Sequence, residues 1–221
     1  MAPSIDLGRA CDEVFGTHGD MEQLVEWVRN ASAFPSWMRE WLEIERSAHT
    51  LRSWQPLVVD GLLQTEAYAR ELVKTYPWHD DEQVEELTAA RLDRQSVLAS
   101  GSRPILWVVL HENVLRCEVG TPAIMREQLQ ALVEASRRPR VTVQVVPLSA
   151  GMHAGHLGAF LVAGIDGSPD VVYSEHARSG LVSQRPEDVH EVVNIWEAIR
   201  MEALPPRASL DLIEKVAEQW T

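Results

Sequence analysis

The sequence predicts an α+β protein, and three observations lead to this prediction. Apolar residues recur at helical spacing over residues 21–101, whereas apolar runs of strand length follow Pro104. Helical spacing returns in the C-terminal segment. We therefore expect a helical N-terminal part and a small mixed or antiparallel sheet of about four to five strands, with helices on one face of the sheet and at its flanks.

The domain organisation follows from the same patterns. Residues 1–20 are loosely patterned, so we expect a lead-in or connector with one short helix. Residues 21–221 are expected to form a single α+β domain, with a helical part over 21–101 and a sheet-containing part over 104–221. A chain of 221 residues buries about 70% of its unfolded surface, so its core needs neither a metal nor a disulfide.

The first two helices are predicted from their apolar faces and from the break between them. The first is interrupted at residues 34–36, and the second begins at Ser36 or Pro35. A short extended piece over 57–59 precedes a turn at residues 60–61. The apolar faces consist of Leu24, Trp27 and Val28 in the first helix and of Trp37, Trp41, Leu42 and Ile44 in the second.

Capping residues define the next two helices. Thr65 is a suitable N-cap for a helix that Pro77 ends. Asp80 is followed three positions later by Gln83, which is the spacing of a capping box. A long helix is therefore expected to begin there and to end at Gly101.

The remaining elements form the sheet and its C-terminal helices. The predicted strands cover residues 105–110, 141–148, 159–165, 170–175 and 181–183, with a hairpin turn at 166–168. A helix over 122–135 separates the first two strands, and two helices with Trp196 and Trp220 on their apolar faces end the chain. Trp107 lies within the first strand, so we expect it to be part of the core.

The charge balance excludes some functions. The chain has 20 Lys and Arg residues against 33 Asp and Glu residues, a net charge of −13. Nucleic-acid binding depends on clustered cations that neutralise phosphates, so we expect no direct contact with nucleic acid. No apolar run is long enough to cross a bilayer, and the first residues lack the pattern of a secretory signal. We therefore expect a cytoplasmic protein that does not bind membranes.

Common catalytic signatures do not occur in the sequence. The nucleophile elbow, the phosphate-binding loop, the dinucleotide fingerprint and the zinc-protease motif are all missing, and Cys11 and Cys117 lack metal-ligand spacing. His153 and His156 have an H-x-x-H spacing, but the glycines around them disfavour the helix that such metal sites use. We expect no cofactor and no metal, and we favour a non-enzymatic role while leaving the question open.

Polar residues near the predicted strand ends form a candidate site. The Gly-rich segment 149–160 joins two strands, and glycine lets a ligand or partner approach the backbone. His111 and Glu112 follow a strand and could act as a general base and its orienting partner. The candidate pocket consists of His111, Glu112, His153, His156, Glu175 and His176, with Gly155 and Tyr173 as further binding residues. In an enzyme, His111, Glu112, His153, His156 and Glu175 would be catalytic; packing roles are the alternative for each residue.

The tryptophans suggest a further contact surface. There are eight, against three phenylalanines. Tryptophan is common at interfaces, although core packing is the alternative for any single one. The first third of the chain contains five of them, Trp27, Trp37, Trp41, Trp54 and Trp78, so a homodimer through this part is an additional hypothesis.

Several segments, in this order, match a known family. They are IERSAHTLRSWQP, VVDGLLQTEAYAR, ARLDRQSVL, LWVVLHENVLRCEVG, MREQLQAL, VTVQVVPLSAGMHAGHLGAF and VVYSE. Over residues 20–220 the chain resembles the C-terminal domain of unknown function of actinobacterial XRE-type, antitoxin-like helix-turn-helix transcriptional regulators. The family's P-G-L-L-Q-T reads D-G-L-L-Q-T here at residues 60–65. Its helix-turn-helix is not in the sequence, which indicates a truncated chain or a stand-alone copy.

The resemblance implies a regulatory effector domain. Such a domain would bind a small protein partner encoded nearby, or a small-molecule ligand, and would pass that signal to an attached DNA-binding domain. The alternative is a stand-alone enzyme of small-molecule, secondary metabolism that uses the His and Glu pocket for acid–base chemistry.

Overall fold

A computed structural model describes residues 4–22, 24–25, 36–99, 104–176 and 179–221, and these residues form an α+β fold, which confirms the predicted class. The helices are α1 (Ile5–Phe15), α2 (Ser36–Ser47), α3 (Glu66–Lys74), α4 (Asp81–Arg94), α5 (Asn113–Arg116), α6 (Pro122–Ser136), α7 (Pro186–Glu202) and α8 (Pro206–Ala217). The strands are β1 (Thr50–Gln55), β2 (Ile105–His111), β3 (Val141–Val146), β4 (Phe160–Gly164), β5 (Val171–His176) and β6 (Ser179–Ser183).

The strands form one mixed sheet in the order β3-β2-β1-β4-β5-β6. β1, β2 and β3 are parallel, whereas β4, β5 and β6 each run antiparallel to the strand before them in this order. The carboxyl ends of the three parallel strands therefore meet at one edge of the sheet, where β4 begins.

Side chains along each strand alternate between the two faces of the sheet, and each face has its own core. The larger core includes Leu51, Leu106, Leu110, Leu129, Leu132 and Ile213. The smaller core consists of Trp54, Val109, Val146, Phe160, Val162, Val172, Trp196 and Ile199. Trp196 and Ile199 come from α7, so helices cover both faces. The expectation that the helices lie on one face and at the flanks was therefore wrong.

The sequence patterns do not predict β1, although it lies in the middle of the sheet. Only two of its six residues are apolar, and its polar side chains are satisfied by distant partners. The Ser53 hydroxyl donates to Asp60 at 2.5 Å, and Arg52 donates to Asp170 at 2.9 Å. β1 brings the sheet to six strands rather than the four to five expected, and the extended piece expected over 57–59 is not a strand.

The local capping signals are confirmed. The Asp80 carboxylate accepts from the Gln83 backbone N–H at 2.8 Å, and the Asp80 N–H donates to the Gln83 side chain at 3.0 Å. The Thr65 hydroxyl accepts from the backbone N–H of Tyr68. Residues 4–20 contain a regular helix, α1, with Ser4 as its N-cap and Gly16, at φ 67°, as its C-cap.

Some expectations concern residues that the structure does not describe, and the one for Trp107 was wrong. Trp27, Val28, residues 34–35 and Gly101 lie outside the described residues, as does the side chain of Trp37. Trp107 is only partly buried, and the Arg52 guanidinium lies 6.0 Å from its ring centroid, so Trp107 is not the core residue expected. Within the described ranges, none of the helices is long and apolar enough to cross a membrane.

Candidate functional site

The Gly-rich segment forms a loop between β3 and β4 that is anchored at two points. Residues 148–158, which we call the histidine loop, contain two short 3-10 turns, Leu148–Ala150 and Ala154–Leu157. The indole N–H of Trp54 donates to the Gly155 carbonyl at 2.8 Å. The Leu148 N–H donates to Glu112 Oε2 at 2.8 Å. These contacts hold the loop against the edge where β1, β2 and β3 end.

Three histidines come together at this edge. His111 ends β2 and lies on the α7 face of the sheet, while His153 and His156 are in the loop. The ring centroids are 5.7 Å apart for His111 and His153, 6.2 Å for His111 and His156, and 4.4 Å for His153 and His156. We call this group the histidine cluster. His111 is buried, His153 is half-buried and His156 is exposed.

Trp54 forms the floor of the cluster and was not predicted to do so. Its ring is fully buried and lies edge-on to His111 at 6.5 Å and to His153 at 5.4 Å. The sequence placed Trp54 in a helical, tryptophan-rich region because the polar strand β1 was not recognised. In the structure Trp54 pairs with Val109 of β2, and this strand pairing, which the sequence pattern did not indicate, determines where its ring lies.

Backbone contacts fix the proton positions on two of the rings. Nδ1 of His111 accepts from the Asn113 N–H at 3.2 Å, and Nδ1 of His153 accepts from the Gly155 N–H at 3.0 Å. A neutral imidazole that accepts at Nδ1 carries its proton on Nε2. Nε2 of His153 is buried and has no hydrogen-bond partner in the described part of the chain.

This arrangement does not fit a metal ion. A metal bound at Nε2 requires the proton to be on Nδ1, but in both His111 and His153 Nδ1 faces a backbone N–H donor. Within the described ranges, no group of three or more His, Cys, Asp or Glu side chains has a geometry suited to an ion.

The environment keeps two of the histidines neutral. Burial lowers the pKa of His111 below its usual value of 6.5, and His156 lowers it further, against the opposing effect of Glu112. Burial likewise lowers the pKa of His153, with His156 and His111 adding to the effect and Glu202 opposing it. At neutral pH both rings are therefore hydrogen-bond donors at Nε2 rather than cations.

A pH dependence of stability follows from these lowered pKa values. The unfolded chain takes up protons on these histidines at about pH 6.5, before the folded chain does, so the free energy of unfolding should fall as the pH drops below about 6.5. Urea unfolding from pH 7.5 to 5.5 measures this slope. The double variant His111→Gln/His153→Gln should flatten it. An unchanged slope in the double variant would contradict the assignment.

Glu112 does not form the pair with His111 that the sequence suggested. Its Oε1 accepts from Arg116 at 2.8 Å, and its Oε2 accepts from the Leu148 N–H. Burial raises the pKa of Glu112, but these hydrogen bonds and the Arg116 charge outweigh that effect and hold the pKa below its usual value. Glu112 therefore supports the loop as an ionised carboxylate instead of orienting the imidazole.

The other predicted residues do not join the cluster. Tyr173 lies on the opposite face of the sheet, where it stacks on Trp41 with ring centroids 5.3 Å apart. Glu175 shares that face and is exposed. His176 is on the α7 face, but β5 lies three strands from β2, a distance of about 14 Å. The single pocket expected for six residues was therefore wrong: three histidines converge, with Glu112 beside them.

A buried ion pair on the opposite face was also missed. The Glu45 carboxylate, 1% exposed, accepts two hydrogen bonds from Arg94 at 2.7 and 2.5 Å. The indole N–H of Trp41 donates to the same carboxylate at 3.2 Å. The two partners are 49 positions apart, so no local spacing in the sequence indicates the pair.

The tryptophans of the first third have different roles. Trp41 and Trp54 are fully buried, whereas Trp78 is 71% exposed and contacts the rings of Tyr76 and His79. Core packing therefore explains Trp41 and Trp54, and Trp78 is the member of the set whose described side chain lies at the surface.

Gly155 is required for the close approach of the loop to Trp54. A Cβ at this position would lie 2.5 Å from Trp54 Cζ2 and 2.8 Å from His153 Cε1. We expect Gly155→Ala to cost about 1–3 kcal/mol of unfolding free energy, because the rigid indole cannot move aside. Urea unfolding followed by tryptophan fluorescence measures this cost. Ala154→Ser, at the exposed neighbouring position, should change stability by less than about 0.5 kcal/mol; equal effects would contradict the steric explanation.

Comparisons with known proteins give one family. A family model described as a domain of unknown function, DUF5753, matches residues 38–215. No curated protein and no solved structure matches the chain.

Proposed function

The chain belongs to the DUF5753 family, and from that premise we propose that it is a regulatory binding module that docks a small protein partner through the histidine loop. In a regulator of the XRE helix-turn-helix type, which the sequence resembles, docking would control an attached DNA-binding domain. The net charge of −13 supports a role in which this domain does not itself contact DNA.

The observation that carries the proposal is the surface of the histidine loop. Its apolar side chains point into solvent: Met152 is 84% exposed and Leu157 is 91% exposed. The base of the loop is held by the Trp54 and Glu112 hydrogen bonds. Exposed apolar residues on a rigid base favour protein docking, because little conformational entropy is lost when the partner binds.

The enzyme alternative receives less support from the same site. General acid–base catalysis by His111 would be assisted by a carboxylate that orients its ring. The Glu112 oxygens instead contact Arg116 and the loop backbone. Glu175, the other carboxylate of the hypothesis, faces the opposite side of the sheet. We therefore prefer binding to catalysis for this site.

The test is titration calorimetry of the full chain with the purified small protein encoded beside its gene. We expect a complex with a micromolar or lower Kd. Met152→Glu and Leu157→Glu should each weaken it by about tenfold or more, because each places a charge in an apolar contact. Val14→Glu is the matched control, since Val14 is 76% exposed on α1. No complex at micromolar concentration, or equal weakening by the control, would count against the proposal.

The histidines of the loop should matter for binding more than for stability. We expect His153→Ala and His156→Ala to weaken partner binding while changing the free energy of unfolding by no more than about 1 kcal/mol, as is usual for loop positions. Calorimetry and urea unfolding of the same preparations separate the two effects. A stability cost several times larger would assign these histidines to packing instead.

A further inference from the structure

The histidine cluster contains a buried hydrogen-bond donor, Nε2 of His153, that has no acceptor among the described residues. The Nδ1 atoms of His111 and His153 accept backbone N–H groups, so each Nε2 carries a proton. The Nε2 of His153 is buried without a partner among the described residues. A buried donor that has lost its water and gained no acceptor is unfavourable. A bound acceptor would remove that penalty, so the cluster is suited to a ligand oxygen.

We propose that the histidine cluster binds a carboxylate group, which accepts hydrogen bonds from Nε2–H of His111 and of His153. The inference rests on the proposed function in one respect, since a carboxylate of the docked partner is one source of the group; a free small carboxylic acid is the other. The two rings are nearly parallel, at 24°, with centroids 5.7 Å apart. A carboxylate has two oxygens, so it can accept from both rings at about 2.8 Å each.

The charges around the cluster favour a monoanion over a phosphate. The chain carries a net charge of −13, which opposes the approach of a dianion. Among the described residues, Glu112 raises the pKa of His111 and Glu202 of α7 raises that of His153, against the larger effect of burial. Glu112 is neutralised by Arg116, at 2.7 Å, and Glu202 is exposed to solvent. A single negative charge is therefore tolerated where two would be repelled.

His156 is the exposed ring of the cluster. Its ring is the closest of those around His153, at 4.4 Å, and it is exposed. Its Nδ1 lies 3.2 Å from the backbone N and 2.9 Å from the backbone O of His153. These two contacts need opposite protonation of Nδ1, so each tautomer keeps only one of them. In the proposed complex this ring turns outward, at the loss of one such contact, so that the ligand reaches Nε2 of His153.

Carboxylate binding should depend on pH. A bound carboxylate favours the protonated form of a neighbouring imidazole, so binding promotes protonation of His111 and His153 at Nδ1. Protonation removes the hydrogen bond that Nδ1 accepts from the backbone, and the charge of the carboxylate compensates for this loss. The carboxylate itself stays ionised above about pH 5. The affinity should therefore increase as the pH falls from 7.5 to 6. The affinity for a neutral acceptor such as an amide should not increase between pH 7.5 and 6.

The test uses the full chain labelled with ¹⁵N-histidine and long-range ¹H–¹⁵N spectra. The ligands are propionate, its neutral analogue propionamide and inorganic phosphate, compared at constant ionic strength. The variants His111→Gln, His153→Gln and His49→Gln assign the signals. His49 is a control ring at the opposite end of β1, 47% exposed in its side chain and 3.3 Å from Asp166.

Propionate is expected to shift the Nε2 signals of His111 and His153 together, with a saturable, millimolar Kd that decreases from pH 7.5 to 6. His153→Gln should weaken this binding by about tenfold, the loss typical of a charge-assisted hydrogen bond. Equal shifts with propionamide, shifts with phosphate but not propionate, linear shifts that include His49, or no shifts would each overturn the proposal.

The partner protein then distinguishes the two sources of the carboxylate. If partner binding shifts the same Nε2 signals and propionate competes with it, the partner supplies the group. If the partner binds without moving them while propionate does, docking stands and a free acid is the ligand. Propionate binding by a chain that binds no partner would refute the docking proposal alone.

Discussion

Replacing Arg94 with methionine is expected to lower the free energy of unfolding by about 3–5 kcal/mol. The Glu45 carboxylate is 1% exposed, and Arg94 supplies both of its charged hydrogen bonds. Burial alone would lower the pKa of Arg94, but the Glu45 charge outweighs it and raises that pKa above its usual value. Among the described residues, Arg94→Met therefore leaves the buried carboxylate with the Trp41 N–H as its remaining donor. Urea unfolding at pH 7 measures the cost.

The double variant Glu45→Gln/Arg94→Met separates charge from packing. The amide oxygen of the glutamine can still accept from Trp41, and no buried charge remains, so we expect more than half of the lost stability to return. Arg70→Met is a suitable control, because Arg70 pairs with Glu66 and Glu85 at the surface. It should cost no more than about 1 kcal/mol. If Arg94→Met lowered the free energy of unfolding no more than the control does, burial of the ion pair would not determine its contribution to stability.

The second large effect is expected for Trp54→Ala, at the upper end of about 3–5 kcal/mol. The ring is fully buried in the smaller core, and its N–H holds the Gly155 carbonyl. Its loss creates a cavity and also releases the histidine loop, so the shift of the His153 Nε2 signal with propionate should disappear. Urea unfolding and the histidine spectra report the two consequences separately.

Two variants control for this result. Trp107→Ala removes a partly buried ring from the same face of the neighbouring strand, and it should cost clearly less. Trp54→Phe keeps most of the packing but loses the bond to Gly155, which should cost about 1–2 kcal/mol. Equal costs for Trp54→Ala and Trp107→Ala would show that the described difference in burial does not govern stability.

Local signals in the sequence were sufficient to predict α3, α4 and α6. The capping box of Asp80 and Gln83, the Thr65 cap and the proline that begins α6 involve residues close together in the chain. Their geometry depends on a few backbone angles, so distant contacts do not override them. The proximity of His111 to His153 was anticipated because His111 ends an apolar strand and His153 lies in the Gly-rich segment that joins two strands.

Tertiary contacts determined what the sequence did not predict. Glu175 and Tyr173 lie in the last part of a strand, as His111 does, but the face on which they lie depends on strand order and register. β1 is mostly polar, and its stability comes from pairing on both sides and from side-chain partners such as Asp60 and Asp170. Since β1 was missed, so was the position of Trp54 beneath the histidines.

The place of β1 in the sheet also affects how the chain folds as it leaves the ribosome. Thr50 pairs with Ile105 on one side and with Gly164 on the other, and the Arg52–Asp170 contact joins residues 118 positions apart. Such high contact order slows folding, because long loops must close first. During synthesis, β1 stays unpaired until β2 and β4 have been made, because both strands come later in the chain. Four polar residues among its six make it a poor aggregation nucleus during that delay. The polar composition that makes β1 difficult to predict from the sequence thus also lowers the tendency of the nascent chain to aggregate.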